Sequence, residues 1–160
     1  MTDVLRRGAA RAVADVTAGM LLASIEIKAS PERVFRAIAS EEIARWWGSP
    51  ELYRVTHWTG ELRVGGRWRS EGVANDGKPF EVSGEYVEID PPKKLVHTWE
   101  PKWVDGPTTK VTYLLEPIEG GTRLTVRHEG FVGAADACQS HAQGWERVFT
   151  WLSTWLEQLP

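Results

Sequence analysis

The sequence predicts an α+β domain in which a curved antiparallel sheet of about seven strands wraps around a long C-terminal helix. Three observations predict this fold class. Short runs with alternating apolar and polar residues, divided by turn residues, fill the middle of the chain. One further strand pattern and two short helical patterns precede them. A long amphipathic pattern ends the chain, and no other helical pattern could cover the concave face of such a sheet.

The N-terminal residues 1–20 are predicted to form a helical extension. Apolar residues recur at helical spacing between Val4 and Val16, with arginines around them. One face of this helix is apolar and must be covered, either by its own domain or by a second copy in a homodimer. The sequence leaves both alternatives open. Residues 21–160 are predicted to form a single domain, because no repeat, low-complexity tract or linker divides them.

The predicted first strand, MLLASIEI, alternates Ile25 and Ile27 with polar residues. The following SPERVFRAI begins a helix, with Ser30 as its N-cap and Pro31 as its first residue. A second short helix, EEIARWW, ends in two adjacent tryptophans. Adjacent helical residues point about 100° apart, so one tryptophan should anchor the helix on the core and the other should form the rim of a cavity.

Six strands and the final helix follow. The strands are predicted at YRVTHWTG, GGRWRSEGV, PFEVSGEYVEI, KKLVHTWE, TKVTYLLEP and TRLTVRHEG. Their short connections, which contain NDGK, DPPK, VDGP and EGG, are typical of antiparallel neighbours. In the last stretch, apolar residues recur at three- and four-residue steps from Cys138 to Leu159. This order of elements is a helix-grip arrangement, with a core or cavity between sheet and helix.

Composition excludes several function classes. The 160-residue chain has a formal net charge of -3, which gives no indication of a nucleic-acid interface. No apolar run approaches the about 20 residues that span a bilayer. A single cysteine, Cys138, allows no intramolecular disulfide and favours a cytoplasmic location. The four histidines show no metal-ligand spacing, so neither a metal nor another cofactor is expected.

Polar side chains are predicted on the inward face of three consecutive strands. Period-two alternation places His97, Tyr113 and His128 on the same faces as the apolar majority of their strands. They could form a polar patch on a cavity floor that binds the polar end of an apolar ligand. Alternatively, each is a core group whose hydrogen bonds are satisfied by its neighbours. The sequence does not decide between the two.

The final helix carries an interior glycine, Gly144, which costs about 1 kcal/mol relative to alanine. Its missing side chain either lets a ligand or backbone approach or relieves packing. His141 lies one turn before Trp145 on the same face. Cys138 and His141 could pair as a nucleophile and base, but a cysteine on an apolar stripe is more typical of a core, and no catalytic residue is assigned.

The chain contains nine tryptophans, and rigid aromatic rings commonly line cavities for flat apolar ligands. Together with the polar patch and the helix wall, they give the predicted ligand-binding set. It consists of Trp47, Trp68, His97, Trp99, Tyr113, His128, His141, Trp145 and Phe149.

Several phrases in this order are similar to one known family. They are SPERVFRAIAS, IARWWG, GELRVGGRWR, SGEYVEIDPPKKLVHTW, GGTRLTVRHEGF and HAQGW. From about Leu22 to Leu159 the chain resembles the activator of heat-shock protein 90 ATPase homologue (C-terminal-like) family, within the START/polyketide-cyclase (SRPBCC) superfamily. The resemblance implies a helix-grip fold with a deep cavity for apolar or amphipathic small molecules, generally without metal or cofactor. Many bacterial members are stand-alone domains.

Three functions follow as expectations. The leading one is binding or carriage of a hydrophobic or amphipathic small molecule between the sheet and the final helix. The second is a cyclase- or hydrolase-like enzyme that uses His97, His128 and Tyr113 as acids and bases. The third is a co-chaperone that activates an ATPase. The eukaryotic co-chaperones of the family carry a further N-terminal domain, for which this sequence has no room.

Overall fold

The computed structural model describes residues 9–102 and 108–159. Its strands are β1 (Arg11–Asp15), β2 (Met20–Ile27), β3 (Gly48–Ser49), β4 (Tyr53–Gly60), β5 (Arg67–Ala74), β6 (Pro79–Asp90), β7 (Lys94–Pro101), β8 (Thr109–Ile118) and β9 (Gly121–Glu129). Its helices are α1 (Pro31–Ile38), α2 (Ile43–Trp46) and α3 (Ala135–Gln158). The predicted VDGP turn lies outside the described residues.

The strands form one antiparallel sheet in the order β1-β2-β9-β8-β7-β6-β5-β4-β3. Irregular register at Val55/His57 in β4 and at Tyr86/Glu88 in β6 bends the sheet on the side away from β1. The helix α3 approaches β1 and β2 most closely. The predicted α+β helix-grip class is confirmed, with nine strands instead of about seven because β1 and β3 were not predicted.

The predicted N-terminal helix is wrong over Arg11–Asp15, which form a strand. This strand pairs with β2 from Arg11↔Ser24 to Asp15↔Met20. Its Ala12 and Ala14 are partly buried against the core, whereas Val13 between them is 65% exposed. The edge of β2 offers backbone hydrogen bonds that outweigh the helix propensity of an alanine-rich segment. Residues 4–8 of the predicted helix lie outside the described part.

Both predicted short helices form, but α2 is shorter than predicted, because it ends at Trp46 and Trp47 has an extended backbone. The Ser30 hydroxyl caps α1 by accepting a hydrogen bond from the Arg33 backbone N–H at 3.1 Å. Arg33 also forms an ion pair with Glu42 at 2.8 Å, which connects the two helices. Trp46 is the anchoring tryptophan of the pair, since it is 5% exposed and donates its Nε1–H to the Ala37 carbonyl at 3.0 Å.

One stripe of α3 is buried over most of its length. It comprises Cys138, Ala142, Trp145, Val148, Phe149, Leu152 and Leu156. Leu159, predicted to end this stripe, lies beyond the helix and is 40% exposed. The inward faces predicted for β7, β8 and β9 are confirmed, because their apolar residues belong to the core.

Candidate functional site

A cavity of about 380 Å³ lies between α2, the N-terminal half of α3 and the side of the sheet that contains β4 to β7. Most of its wall is apolar or aromatic. The lining residues are Ile38, Ile43, Trp47, Tyr53, Val55, Trp58, Trp68, Ser70, Ala74, Phe80, Val82, Tyr86, His97, Trp99, Tyr113, Ser140, His141, Gly144, Trp145, Arg147 and Val148. We call this the ligand cavity.

Three tryptophans from three elements meet in its wall. Trp47 follows α2, Trp99 lies on β7 and Trp145 on α3. The ring of Trp47 lies 6.2 Å from that of Trp99 and 5.8 Å from that of Trp145, measured between centroids. Trp99 and Trp145 are 6.2 Å apart. The sequence predicted one anchoring and one rim tryptophan without assigning them, and Trp47 is the one that lines the cavity.

The floor of the cavity carries polar groups in uncharged form. His97 is buried, and its Nδ1 lies 2.9 Å from the Thr98 carbonyl oxygen, so Nδ1 carries the proton and donates. Burial lowers the pKa of His97 to about 4, which leaves Nε2 unprotonated as an acceptor at neutral pH. Burial also raises the pKa values of Tyr86 and Tyr113, whose rings lie 6.1 and 5.8 Å from that of His97.

Two indole N–H groups in the wall have no acceptor among the described residues. They are the buried Nε1 atoms of Trp68 and Trp99. The ring of Trp68 lies across Gly84, where an added Cβ would stand 2.6 Å from Nε1, and it contacts the ring of His97 at 4.7 Å. A buried donor without an acceptor costs about 1–3 kcal/mol. An acceptor atom on a bound molecule would remove that cost.

His128 lies behind the wall and is fully satisfied. Its Nδ1 accepts from the Trp145 indole N–H at 3.1 Å, and its Nε2 lies 2.7 Å from the Thr109 hydroxyl. An indole only donates, so the neutral ring carries its proton on Nε2 and donates it to Thr109. The hydroxyl of Thr109 in turn donates to the Trp99 carbonyl at 3.3 Å. We call this the His128 chain; it joins α3 to β9, β8 and β7.

Both ring nitrogens of His128 are therefore occupied, and burial lowers its pKa well below the usual value. The structural alternative raised by the sequence, a core histidine satisfied by its neighbours, describes His128. Among these residues acid–base chemistry at neutral pH is limited: His97 is a weak base and burial holds the protons on both tyrosines.

The predicted site residues divide into two groups. Seven line the ligand cavity: Trp47, Trp68, His97, Trp99, Tyr113, His141 and Trp145. The other two, His128 and Phe149, lie behind Trp145, whose ring centroid is 6.1 Å from that of His128 and 5.6 Å from that of Phe149.

Cys138 and His141 do not form a hydrogen-bonded pair. The buried thiol of Cys138 donates to the Met20 carbonyl at 3.4 Å, and burial raises its pKa. His141 uses Nδ1–H to donate to the Ala137 carbonyl at 2.8 Å, one turn earlier in α3. The thiol is therefore protonated and packed as a small core group.

The mouth of the cavity contains residues that the sequence analysis missed. Ser140 and Arg147 lie on α3 on either side of Gly144, and all three line the cavity. Tyr53 lies at the same end, where its hydroxyl accepts from the Trp47 indole N–H at 3.3 Å. Spacing at three and four residues could have placed Ser140, Gly144 and Arg147 on one helix face, but not against a cavity.

Among the described residues, no group of three or more histidine, cysteine, aspartate or glutamate side chains is placed to hold a metal ion. None of the described helices has the length and apolarity that a membrane crossing requires.

Comparison with known proteins identifies the family. A family model described as "Activator of Hsp90 ATPase homolog 1-like protein" matches residues 28–157, which confirms the resemblance found in the sequence. No curated protein matches the chain.

Similar solved structures come from bacteria. A protein from Rhodobacter sphaeroides is 25% identical, covers 93% of this chain and 99% of its own, and superposes with a TM-score of 0.80. The AHSA1 protein from Silicibacter pomeroyi is 26% identical; the match covers 86% of this chain and 97% of that protein, with a TM-score of 0.71. CalU16 from Micromonospora echinospora is 17% identical, and the match covers 96% of this chain and 88% of CalU16. Its TM-score of 0.69 shows that the two share the fold.

Proposed function

This chain belongs to the Activator of Hsp90 ATPase homolog 1-like family, and we propose that it binds a hydrophobic or amphipathic small molecule in the ligand cavity. The observation that carries the proposal is the cavity itself, about 380 Å³ in volume and walled mainly by aromatic and aliphatic side chains. Ligand sites for small molecules are typically concave, mostly apolar and of roughly 300–1,000 Å³.

The few polar groups of the wall fit the same function. The Trp68 and Trp99 indole N–H groups can donate, and the unprotonated Nε2 of His97 can accept. Such isolated polar groups in an apolar wall orient a ligand without requiring it to be charged. The inner end of the ligand should therefore carry an uncharged hydroxyl or carbonyl group.

Binding is tested with a panel of lipids, aromatic compounds and polyketides. Several tryptophans line the cavity, so an occupant should change tryptophan emission and raise the melting temperature. Failure of the whole panel to change either quantity would refute the proposal.

A pair of neighbouring substitutions makes the test specific. Ser70→Leu adds apolar volume inside the cavity, since Ser70 is buried and lines it. Glu71→Leu adds a similar side chain on the opposite, exposed face of β5. Only Ser70→Leu should weaken binding of a ligand that the unsubstituted protein holds. Equal effects of the two substitutions would place the ligand elsewhere.

A further inference from the structure

We propose that the mouth of the ligand cavity binds the anionic head group of an amphipathic carboxylate, which Arg147 recognises above a seat formed by Gly144 and Ser140. This inference rests on the ligand-binding function proposed above and adds the class of ligand and its orientation.

The charge of the cavity wall is the first argument. Arg147 is the only side chain ionised at neutral pH among the described residues that line the cavity, since none of them is an aspartate or glutamate and burial lowers the pKa values of both lining histidines, His97 and His141. Arg147 forms no ion pair or hydrogen bond with another described residue. A cation that has no ion-pair partner among the described residues, at the mouth of a cavity whose other described lining residues are uncharged, favours an anionic ligand over a neutral or cationic one.

The geometry around Gly144 is the second argument. A Cβ added at Gly144 would meet only one neighbouring atom within 4 Å, the Nη2 of Arg147 at 3.9 Å. Side chains of a helix lean toward its N-terminus, which places the Arg147 guanidinium over Gly144. Packing therefore does not require a glycine here, although a glycine inside a helix is unfavourable. What the missing side chain leaves is open space beside the guanidinium.

Ser140 completes the seat on the other side. It lies one turn before Gly144, so their Cβ positions are roughly 6 Å apart on the same helix face. Its side chain is exposed and lines the cavity. A carboxylate over Gly144 can accept hydrogen bonds from the guanidinium on one side and from the Ser140 hydroxyl on the other.

The neutral interior fixes the orientation of the ligand. At the floor, His97, Tyr86 and Tyr113 are all uncharged at neutral pH, because burial shifts their pKa values away from their charged forms. Because the described residues place no cation at the floor, a carboxylate buried there would be uncompensated, which is strongly unfavourable. The exposed mouth keeps the anion partly hydrated, so the apolar body enters first and the head group stays at Arg147.

Two matched fluorescent dyes test this inference. Anilinonaphthalene sulfonate carries an anionic group in place of the carboxylate, and phenylnaphthylamine is the same apolar body without it. We expect the anionic dye to bind about fivefold more tightly than the neutral dye, as for an ion pair at an accessible site. High salt should reduce this preference because it screens the ion pair.

Substitution identifies the cation. Arg147→Gln should abolish the preference while binding of the neutral dye is kept, and Arg147→Lys should retain part of it. Arg54→Gln is the matched control, because Arg54 lies between the cavity-lining Tyr53 and Val55 and points to the opposite face of β4. It should leave both affinities unchanged.

The outcomes separate this inference from the proposed function. If both dyes bind equally, or if Arg147→Gln leaves the preference intact, the anionic head-group site is wrong and the apolar binding function stands. If neither dye binds, the anionic head-group site is wrong, and failure of the wider ligand panel as well refutes the proposed function.

Discussion

The two ends of α3 differ in what they contact, and the difference separates the packed core from the cavity. Its C-terminal half, with Phe149, Leu152 and Leu156, is buried in the solid core, which we call the packed half. The part from Ser140 to Val148 faces the ligand cavity, with Gly144 and Arg147 on the wall. One continuous amphipathic helix thus supplies a stabilising surface and one wall of the cavity in which we propose that a ligand binds.

The two sides of the sheet differ in the side chains that lie opposite the helix. Small side chains, Ala12 and Ala14 on β1 and Ala23 on β2, allow α3 to approach this edge of the sheet closely. Toward β4 to β7 the opposing side chains are large rings such as Trp68 and Trp99. Rigid rings do not collapse onto a distant helix, and the space between them remains as the cavity.

Polar groups follow the same division. In the His128 chain, which lies behind the cavity wall, each donor meets an acceptor. In the cavity wall, the indole N–H groups of Trp68 and Trp99 meet none among the described residues. Satisfied buried groups stabilise a fold, whereas unsatisfied ones beside a cavity are available to a ligand.

The largest expected effect is a difference in stability loss when a large side chain is truncated in the packed half or in the cavity wall. Phe149→Ala leaves a void in the packed half and should lower the free energy of unfolding by about 3–5 kcal/mol. Trp58→Ala removes a half-buried ring from the cavity wall and should cost less than half as much, because it only enlarges an existing space. Urea denaturation measures both. Equal losses would remove the distinction between the halves.

The second effect is a pH dependence. The pKa of His97 falls from 6.5 to about 4 on folding, so below pH 6.5 the unfolded state binds more protons than the folded state. Stability should therefore fall as the pH drops through this window, by about 3 kcal/mol from His97 at pH values below 4.

Urea midpoints measured between neutral and acidic pH check this dependence. His97→Gln should flatten the profile, whereas His57→Gln, at an exposed position of β4, should not. A profile that is the same for the unsubstituted protein and His97→Gln would contradict the buried, neutral state of His97.

The third prediction concerns the hydrogen bond between Trp145 and His128. Trp145→Phe keeps most of the ring packing but removes the N–H that donates to His128, leaving a buried acceptor without a partner. We expect a loss of about 1–3 kcal/mol in the free energy of unfolding. Trp47→Phe removes a comparable hydrogen bond at the partly buried rim and should cost less. The reverse order would contradict a structural role for the His128 chain.

The smallest expected effect is a gain in stability rather than a loss. Gly144→Ala meets no close atom and improves helix propensity, so it should raise stability by up to about 1 kcal/mol. Gly121→Ala is the contrast, because its Cβ would collide with the Ile27 carbonyl oxygen. Thermal denaturation compares the two. A destabilising Gly144→Ala would mean that Gly144 is required for packing.

The sequence was sufficient where local pattern determines structure. Alternation correctly placed His97 and His128 inward, and Ser30 and Pro31 marked the start of α1. Helical spacing at Arg11–Asp15 was misleading, because the edge of β2, a distant partner in sequence, decides the conformation there.

The site depended more on contacts between distant elements. The alternation of residues along a strand shows which side chains point inward, but it does not distinguish the cavity floor from the core behind it. The sequence analysis therefore grouped His97 with His128, although Trp145 separates their environments. Arg147 was missed because its charge suggests a solvated helix face. Its position over Gly144 at the cavity mouth follows only from how α3 crosses the sheet.

The most direct test of the central claim is a two-dimensional NMR titration that follows the indole N–H signals. Each signal is assigned by a Trp→Phe substitution, and anilinonaphthalene sulfonate is added. We predict shifts for Trp68 and Trp99, whose N–H groups lie in the cavity wall. The signals of Trp46 and Trp155 should stay unchanged. The Trp46 N–H donates a hydrogen bond to the Ala37 carbonyl, and the Trp155 ring lies under the Arg33 guanidinium. Shifts confined to Trp46 and Trp155, or equal shifts for all four, would contradict binding in the cavity.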